Sequence, residues 1–193
     1  FGLPVYRWRP EEEIHEQINR WWEGNKNAGY GSLIFAYSLG KAQRVLAGLD
    51  ASVGPIYAHS AVHPFLEHYQ NAGVILPEVK KIEDEKDFSG AMVIAPPAVE
   101  DSSWMRKFHT VKRGFASGWM AIRGPRRRKN IDRGFVLSDH ADWPGLIDVI
   151  TGTGAEVVKV THGNGDALSQ FLVEKGINAS VLNESSFRRE EEE

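Results

Sequence analysis

The stretch GSLIFAYSLGKAQRVLAGLD, residues 31–50, decides the predicted fold class. It begins with an apolar run from Leu33 to Tyr37, which predicts a buried strand. A tight Ser-Leu-Gly-Lys loop follows, and then a helical pattern that Gly48 closes. The stretch is therefore a strand–loop–helix unit. A strand that is apolar throughout is typical of parallel sheets with helices on both faces.

The alternation of strands and helices continues outward in both directions. Before this stretch, RPEEEIHEQINRWWEG has acidic residues in its first turn and apolar residues at helical spacing, which predicts an amphipathic helix. After it, apolar runs predict further strands within residues 55–62, 90–97, 113–118, 132–139, 155–160 and 177–182. The sequence thus predicts an α/β fold, in which ligands bind beyond the carboxyl ends of the strands.

Composition sets limits on the class of protein. The 193 residues, 41% of them hydrophobic, can bury the core of one domain or of two small ones. The absence of cysteine excludes disulfides and thiolate metal sites, so histidines and carboxylates must hold any metal. A cytoplasmic location fits, because the sequence has no apolar run of membrane-spanning length and its first residues show no signal-peptide pattern.

The net charge of −3 hides a strongly basic segment between Arg106 and Arg133. This segment contains a single acid, Asp132, and ten basic residues: Arg106, Lys107, Lys112, Arg113, Arg123, Arg126, Arg127, Arg128, Lys129 and Arg133. Such a segment favours a polyanionic partner, because each neutralised phosphate releases counterions. In the alternative interpretation, the run from Arg126 to Lys129 is a solvated loop.

Four aromatic residues are interleaved with these charges: Trp104, Phe108, Phe115 and Trp119. Aromatic side chains beside cations could stack on unpaired bases. They could equally belong to the hydrophobic core, and we expect the core for most of them.

Two histidines stand out because each directly follows a predicted strand. His140 lies between Asp139 and Asp142 in GFVLSDHADW, and His162 follows VVKVT. One predicted helix separates the two strands, and a strand–helix–strand unit places both loops at one edge of a sheet, where they could share a site. The flanking carboxylates could orient the ring of His140 as a proton donor to a leaving group. Alternatively, Asp142 caps the following helix and His140 only fills a loop.

A rigid strand end suits His162 as a metal ligand, since neutral imidazole is the commonest protein ligand of metals. One histidine does not make a metal site. The pair His59 and His63 is the only other hint of metal-ligand spacing, and we interpret it as a turn.

The loop SLGKAQ is not a nucleotide-binding P-loop. Phe35 stands where that motif requires a glycine, and Ala42 stands where it requires serine or threonine. Ser38, Lys41 and the amides that open the helix could still hold one phosphate. Ser117 and Gly118 in FASGWM form a second loop of this kind, unless Gly118 serves only a tight turn.

Taken in order, four loops resemble one known family. SDHADW (138–143) resembles the Ser-x-His-Ala-Asp motif of the β-CASP nucleases, which are metallo-β-lactamase-fold hydrolases that act on DNA or RNA. VTHG (160–163) is similar to the family's later histidine motif, and FASGWM (115–120) to its Ser-Gly-Met loop with a tryptophan inserted. SLGKAQ (38–43) resembles Ser-x-Gly-Arg-x-Gln, with lysine in place of arginine.

The branch that the chain resembles most is the bacterial ligase-associated DNA exonucleases, which are similar to mRNA 3′-end processing factor-like exonucleases. FGLPVYRWRP, FAYSLGKAQR, ASGWMAIRG and DRGFVLSDHADWPGL carry this resemblance, which extends over nearly the whole chain. It implies a zinc-dependent phosphodiesterase in DNA repair that uses two zinc ions and associates with a DNA ligase or helicase.

The resemblance also implies roles for individual residues. His162 would be a zinc ligand, and His140 would act at the scissile phosphate with Asp142 in support. With the basic run included, the candidates for holding the nucleic acid are Ser38, Lys41, Ser117, Gly118, Arg123, Arg126, Arg127 and Arg128.

The chain departs from the family in one respect. The main metal signature, His-x-His-x-Asp-His, is absent from this sequence. We therefore expect a C-terminal portion of a longer enzyme that alone retains little or no zinc and does not hydrolyse DNA. Residues 1–8 would end a metallo-β-lactamase segment, 9–128 would form the β-CASP domain, and 129–193 would return to the αββα hydrolase domain.

Three alternatives to a DNA exonuclease stay open on the sequence alone. The shared motifs do not distinguish DNA from RNA, so an RNA-processing β-CASP ribonuclease is one. A non-catalytic nucleic-acid-binding module that pairs with a separate metal-bearing subunit is another. The weakest is an enzyme that acts on a small phosphate compound or nucleotide.

Overall fold

The computed structural model of the chain describes residues 1–83, 87–122, 131–163 and 165–182. The chain divides into two units. The larger unit is Trp8–Asp139, and the smaller unit combines Phe1–Arg7 with His140–Glu193. Each unit has its own sheet and its own hydrophobic core.

The larger unit is built on a six-stranded parallel sheet with the strand order β3-β2-β4-β1-β5-β6. The strands are β1 (Gly31–Phe35), β2 (Ile56–Ala58), β3 (Lys80–Lys81), β4 (Met92–Ala95), β5 (Val111–Ala116) and β6 (Arg133–Phe135). The central strands β1 and β4 are buried at every position, as their continuous apolar runs predict. The predicted α/β class with a parallel sheet flanked by helices is therefore confirmed.

The described residues of the larger unit include three α-helices: α1 (Glu11–Asn27), α2 (Lys41–Ala47) and α3 (Leu66–Asn71). In α1, Ile14, Ile18 and Trp22 recur every four residues and are all buried. The helix continues through Gly24, where the sequence pattern predicts its end. Beyond Gly24, Nδ2 of Asn25 donates to the hydroxyl of Ser32 at 2.8 Å, and this contact offsets the roughly 1 kcal/mol that an interior glycine costs.

The two faces of the sheet are covered by different segments. Helices α1 and α2 pack on the face that contains Ile34, whereas the 3₁₀ turns Ser103–Lys107 and Gly118–Ala121 pack on the face that contains Leu33 and Phe35. Phe108 and Phe115 are buried in this second cluster, which confirms the core interpretation for these two aromatic residues.

The order of the strands sets where a ligand could bind. The segment after β1 turns to one face of the sheet, and the segments after its neighbours β4 and β5 turn to the other face. In open α/β sheets, such a reversal leaves a crevice at the carboxyl ends of the strands. The carboxyl end of β1 is therefore the expected ligand position in the larger unit.

The smaller unit contains the parallel pair β7 (Val157–Val160) and β8 (Asn178–Val181) and two helices, α4 (Trp143–Thr153) and α5 (Gly165–Glu174). Its core is formed by Trp143, Leu168, Leu172 and Ala179. The amide of Trp143 donates to the carbonyl of Tyr6 at 2.9 Å, which ties the first residues of the chain to the start of α4.

One topological prediction is wrong. The sequence predicts that the strands before His140 and His162 belong to one strand–helix–strand unit. Instead, β6 pairs with β5 in the six-stranded sheet, and β7 pairs with β8 in the two-stranded sheet. An apolar pattern identifies a strand, but the sheet that the strand joins depends on hydrogen-bonding partners distant in sequence.

The assignment of residues 1–8, 9–128 and 129–193 to parts of family domains stays a prediction. Residues 131–139, which that assignment places in the third segment, supply β6 to the larger unit. Among the described residues, no helix combines the length and the apolar character needed to cross a membrane.

Candidate functional site

Two loops and one carboxylate lie at the carboxyl end of the larger sheet, where α/β folds bind their ligands. We call them the carboxyl-edge site: the loop after β1 with Lys41 (residues 37–41), the loop after β5 (residues 117–119), and Asp139. Strand register brings the two loops together. Phe35 is paired with Phe115, so the chain leaves β1 and β5 at adjacent positions.

Lys41 is the central charge of this site. Its side chain is only 5% exposed, and its Nζ lies 2.9 Å from Oδ1 of Asp139. The same Nζ lies 4.9 Å from the centroid of the Tyr37 ring, within the range of a cation–π contact. A buried ammonium group is tolerated only with such partners, since desolvation of the ion costs several kcal/mol.

The backbone of the loop depends on Gly40. Gly40 has φ 84° and ψ −69°, a combination that L-residues rarely adopt. A Cβ atom at this position would lie 3.3 Å from Oδ2 of Asp139. Glycine therefore serves both the turn into α2 and the close approach of the carboxylate.

Gln43 stabilises the loop from the helix that follows it. Its Nε2 donates to the carbonyl of Ser38 at 2.9 Å, which ties the half-buried Ser38 to α2. Oε1 of Gln43 is buried and has no hydrogen-bond partner within the described part of the chain. The sequence motif SLGKAQ contains Gln43, but sequence reasoning assigned it no role.

Arg44 and Glu11 hold the segment that ends in Asp139. Arg44 donates to the carbonyl of Ser138 and forms an ion pair with Glu11, with 2.6 Å between Nη2 and Oε2. The hydrogen bond from Arg44 lowers the pKa of Glu11, and the same bond raises the pKa of Arg44. Sequence analysis missed this pair because Glu11 looks like an ordinary acid of a first helical turn.

Ser117 and Gly118 shape the second loop through hydrogen bonds and burial. The Ser117 amide donates to the carbonyl of Phe135 at 3.0 Å, and the Ser117 hydroxyl accepts from the amide of Trp119 at 3.3 Å. Ser117 thus caps the 3₁₀ turn that begins with the buried Gly118.

Asp142 and His140 belong to the smaller unit. Oδ1 of Asp142 accepts a hydrogen bond from the amide of Gly145 at 3.0 Å, so the interpretation of Asp142 as the N-cap of α4 is confirmed. His140 is exposed, and its ring packs edge-on against Phe1 with 5.5 Å between centroids. The catalytic roles of these two residues stay predictions.

His162 follows β7 in a left-handed conformation, with φ 64°. A non-glycine residue in this region is uncommon and is often found at functional sites. The exposed ring places Nδ1 3.0 Å from the hydroxyl of Thr161. When Nδ1 donates this hydrogen bond, Nε2 presents the lone pair that a metal ligand needs.

The described residues do not fit a pair of zinc ions. Across residues 1–83, 87–122, 131–163 and 165–182, no group of three or more histidines and carboxylates is placed to hold a metal. His162 supplies one donor, whereas a catalytic zinc needs three protein ligands. We therefore derive no chemical step through a metal from these residues.

The predicted site residues separate into three groups. Ser38, Lys41, Ser117 and Gly118 come together at the carboxyl edge of the larger sheet. His140, Asp142 and His162 lie in the smaller unit. Arg123, Arg126, Arg127 and Arg128 lie outside the described residues.

Comparison with known proteins shows a similarity to part of a longer protein. No family model matches the chain. The chain is 28% identical over 186 residues to a protein from Opitutus terrae named as a probable DNA ligase. The alignment covers 96% of this chain and 18% of that protein, so the chain spans less than a fifth of its relative.

Proposed function

We propose that this chain contributes DNA binding to a metal-dependent phosphodiesterase that acts on DNA ends in repair. The observation that carries the proposal is the ion pair between the buried Lys41 and the partly exposed Asp139, at the carboxyl edge of the sheet where α/β folds bind their ligands. The similarity to a part of a probable DNA ligase supports DNA as the nucleic acid and supports association with DNA joining.

Lys41 has hydrogen-bonding capacity beyond its ion pair. An ammonium group has three protons, and one serves Asp139. A phosphate oxygen could accept another, with the Ser38 hydroxyl on the same loop as a second donor. Asp139 keeps the buried cation neutralised until a phosphate arrives, and it also disfavours tight retention of small anions.

In the proposed enzyme, three residues of the smaller unit take part in hydrolysis. In the proposed enzyme, His140 gives a proton to the leaving oxygen, and Asp142 sets the position of the segment after His140 by capping α4. His162 would be one ligand of a metal through Nε2, and that metal would supply Lewis-acid chemistry at the phosphate. Within the described ranges, His162 does not belong to a group of three or more metal-binding side chains.

Binding to DNA is tested by fluorescence anisotropy with labelled oligonucleotides over a range of salt concentrations. We expect log Kd to depend on log salt, and we expect Lys41→Gln to weaken binding about tenfold and to lower the slope by about one. Lys112→Gln is the matched control, because Lys112 also contacts a tyrosine and an aspartate but at the other end of the sheet. Equal effects of the two substitutions would refute the assignment of the site.

DNA and RNA are distinguished by matched oligomers of identical sequence. We expect the native protein to bind and cleave DNA in preference to RNA. Preference for RNA would replace the DNA exonuclease by an RNA-processing nuclease.

The roles of the two histidines are separated by metal content. His162→Ala should reduce bound zinc in the active native protein, whereas His140→Ala should reduce turnover and leave zinc in place. Equal loss of zinc in both variants would contradict this division of roles.

A non-catalytic DNA-binding module is the second candidate function. The observation that favours it is that the described residues contain no three-donor group. Zinc analysis after purification in metal-containing buffer decides between the candidates: a stoichiometric pair of zinc ions with hydrolysis supports the phosphodiesterase, and DNA binding without zinc or hydrolysis in the native protein supports the module.

A further inference from the structure

Three large apolar side chains are exposed on the two loops of the carboxyl-edge site. Tyr37 is 57% exposed, Leu39 is 60% exposed and Trp119 is 54% exposed. Tyr37 and Leu39 follow β1, and Trp119 follows β5, the adjacent strand. Single exposed apolar residues are ordinary on a protein surface, but a group of them beside a buried charge indicates a binding surface.

The local structure turns Trp119 outward. Ser117 accepts from the amide of Trp119 and so fixes the 3₁₀ turn Gly118–Ala121. Within that turn, Met120 is buried in the core while Trp119 stays exposed. The turn therefore has an anchoring residue and a separate residue directed to the surface.

Tyr37 is also held in place. The ammonium group of Lys41 lies against its ring, 4.9 Å from the centroid. Because more than half of Tyr37 is exposed, the opposite face of the ring is the one that a ligand can reach. Because Lys41 already holds the Tyr37 ring in place, the ring loses little conformational entropy when a planar group stacks on its exposed face.

We infer that Tyr37 and Trp119 form a stacking platform for unpaired bases of DNA, beside the phosphate contacts of Ser38 and Lys41. This inference rests on the proposed function and specifies its substrate as a single-stranded segment or end. Aromatic rings bind bases of any sequence because every base has a π-face. Bases within a duplex are stacked on their neighbours, so a platform of this kind favours unpaired DNA.

The chemistry of the surroundings favours a nucleic acid over an apolar peptide. An apolar peptide would cover the partly exposed carboxylate of Asp139 and would offer it no hydrogen-bond donor in place of water. A nucleotide fits both the aromatic rings and the ammonium group, since its base stacks on the rings and its phosphate accepts a hydrogen bond from Lys41.

The experiment compares four oligonucleotides of equal length: single-stranded DNA, the same strand with abasic sites, the duplex, and single-stranded RNA. Binding of the whole chain is measured by anisotropy at fixed salt. We expect single-stranded DNA to bind more tightly than the abasic strand and the duplex, by about five- to a hundredfold. The abasic strand retains every phosphate, so this difference reports the bases alone.

Trp119→Ala and Tyr37→Ala should each weaken binding of single-stranded DNA about fivefold or more and should leave binding of the abasic strand unchanged. Trp119→Phe should restore most of the loss. Tyr30→Ala is the control, because Tyr30 is also exposed and also contacts a lysine, Lys112, but lies at the amino end of β1. We expect no effect of this control substitution.

The outcomes separate the inference from the proposed function. Salt-dependent binding that requires Lys41 but is equal for normal and abasic strands overturns the platform and leaves the proposed function intact. An absence of binding to any of the four oligonucleotides overturns both. Equal or tighter binding of RNA contradicts the assignment to DNA, although the inference that unpaired bases stack on Tyr37 and Trp119 is retained.

Discussion

The two ends of strand β1 carry the same three residue types in different surroundings. At the amino end, Lys112 lies 4.7 Å from the ring centroid of Tyr30 and 3.6 Å from Asp132. At the carboxyl end, Lys41 makes the corresponding contacts with Tyr37 and Asp139 at 4.9 Å and 2.9 Å. The Lys112 side chain is 38% exposed, whereas that of Lys41 is almost completely buried.

The comparison shows that burial, more than the identity of the partners, sets how much an ion pair contributes to stability and how strongly water screens its charge. A half-exposed ion pair is solvated and contributes about 0–1 kcal/mol to stability. A buried cation needs its partner to remain folded, and its field is less screened by water. Lys41 is the first residue of α2 and is buried together with Ala42, Gln43, Val45 and Leu46 of that helix, whereas Lys112 lies on a partly exposed strand.

The largest difference between the two ends is expected for loss of the carboxylate. Asp139→Asn leaves the buried ammonium of Lys41 without a counterion, and we expect the free energy of unfolding to fall by about 3 kcal/mol. Asp132→Asn should cost less than about 1 kcal/mol, since Lys112 is solvated. Urea unfolding followed by circular dichroism measures both, and equal losses would remove the distinction between the ends.

A second difference is expected at the glycines that flank the strand. Gly40→Ala places a Cβ atom near Asp139 in a conformation with φ 84° and ψ −69°, and we expect a loss of about 2–3 kcal/mol. Gly29 has φ 79°, and a Cβ atom added there would meet no atom within 4 Å, so Gly29→Ala should cost about 1 kcal/mol. Thermal unfolding of both variants checks the order, and the reverse order would refute the role given to Gly40.

A smaller effect is expected for the ion pair that supports the carboxyl end. The hydrogen bond from Arg44 lowers the pKa of Glu11, so the stability that it provides is present above the unfolded pKa of Glu11 and is lost as the pH falls through the folded pKa. We expect Glu11→Gln to cost roughly 0.5–1 kcal/mol at pH 7, because both side chains are partly exposed.

Urea unfolding of the wild type and of Glu11→Gln at pH 7 and at pH 3 tests this account of Glu11. The difference between the two proteins should shrink at pH 3, because protonation of the unfolded carboxylate below its ordinary pKa removes part of the stability that the pair provides. A difference that does not change between the two pH values would show that the pair acts through packing instead of charge.

The smallest effect is expected at Ser117. Ser117→Ala removes the oxygen that accepts from the Trp119 amide, and we expect a loss of about 0.5–1 kcal/mol in stability. If the turn presents Trp119 as proposed, the same variant should also weaken binding of single-stranded DNA by a few-fold. Anisotropy titrations check this, and tighter binding would contradict the positioning role of Ser117.

The centre of the larger unit can be predicted from the sequence because β1 and β4 are continuous apolar runs, whereas the exposed edge strand β3 (Lys80–Lys81) has no such pattern and is not predicted. The strand at residues 31–35 is buried on both faces and the turn before α2 contains a glycine, so local pattern and tertiary structure agree there. The end of β1 is less predictable. The apolar pattern continues to Tyr37, but pairing with both neighbouring strands ends at Phe35.

The site itself can be predicted only in part. Ser38, Lys41 and Ser117 are predictable because they follow apolar strands, and the sheet brings those strand ends together. The partner of Lys41 is not predictable in this way, because Asp139 is 98 positions away and its sequence context points to its neighbour His140. Pairings of this kind depend on strand order, which local patterns do not encode.

Chemical-shift mapping tests the central claim most directly. A ¹⁵N-labelled chain is titrated with a single-stranded DNA oligonucleotide, and the amide shifts at the two ends of β1 are compared. The account predicts the largest shifts at residues 37–41 and 117–120, with little change at Tyr30, Lys112 and Asp132. Larger shifts at the amino end, or no shifts at the carboxyl end while DNA is bound, would contradict it.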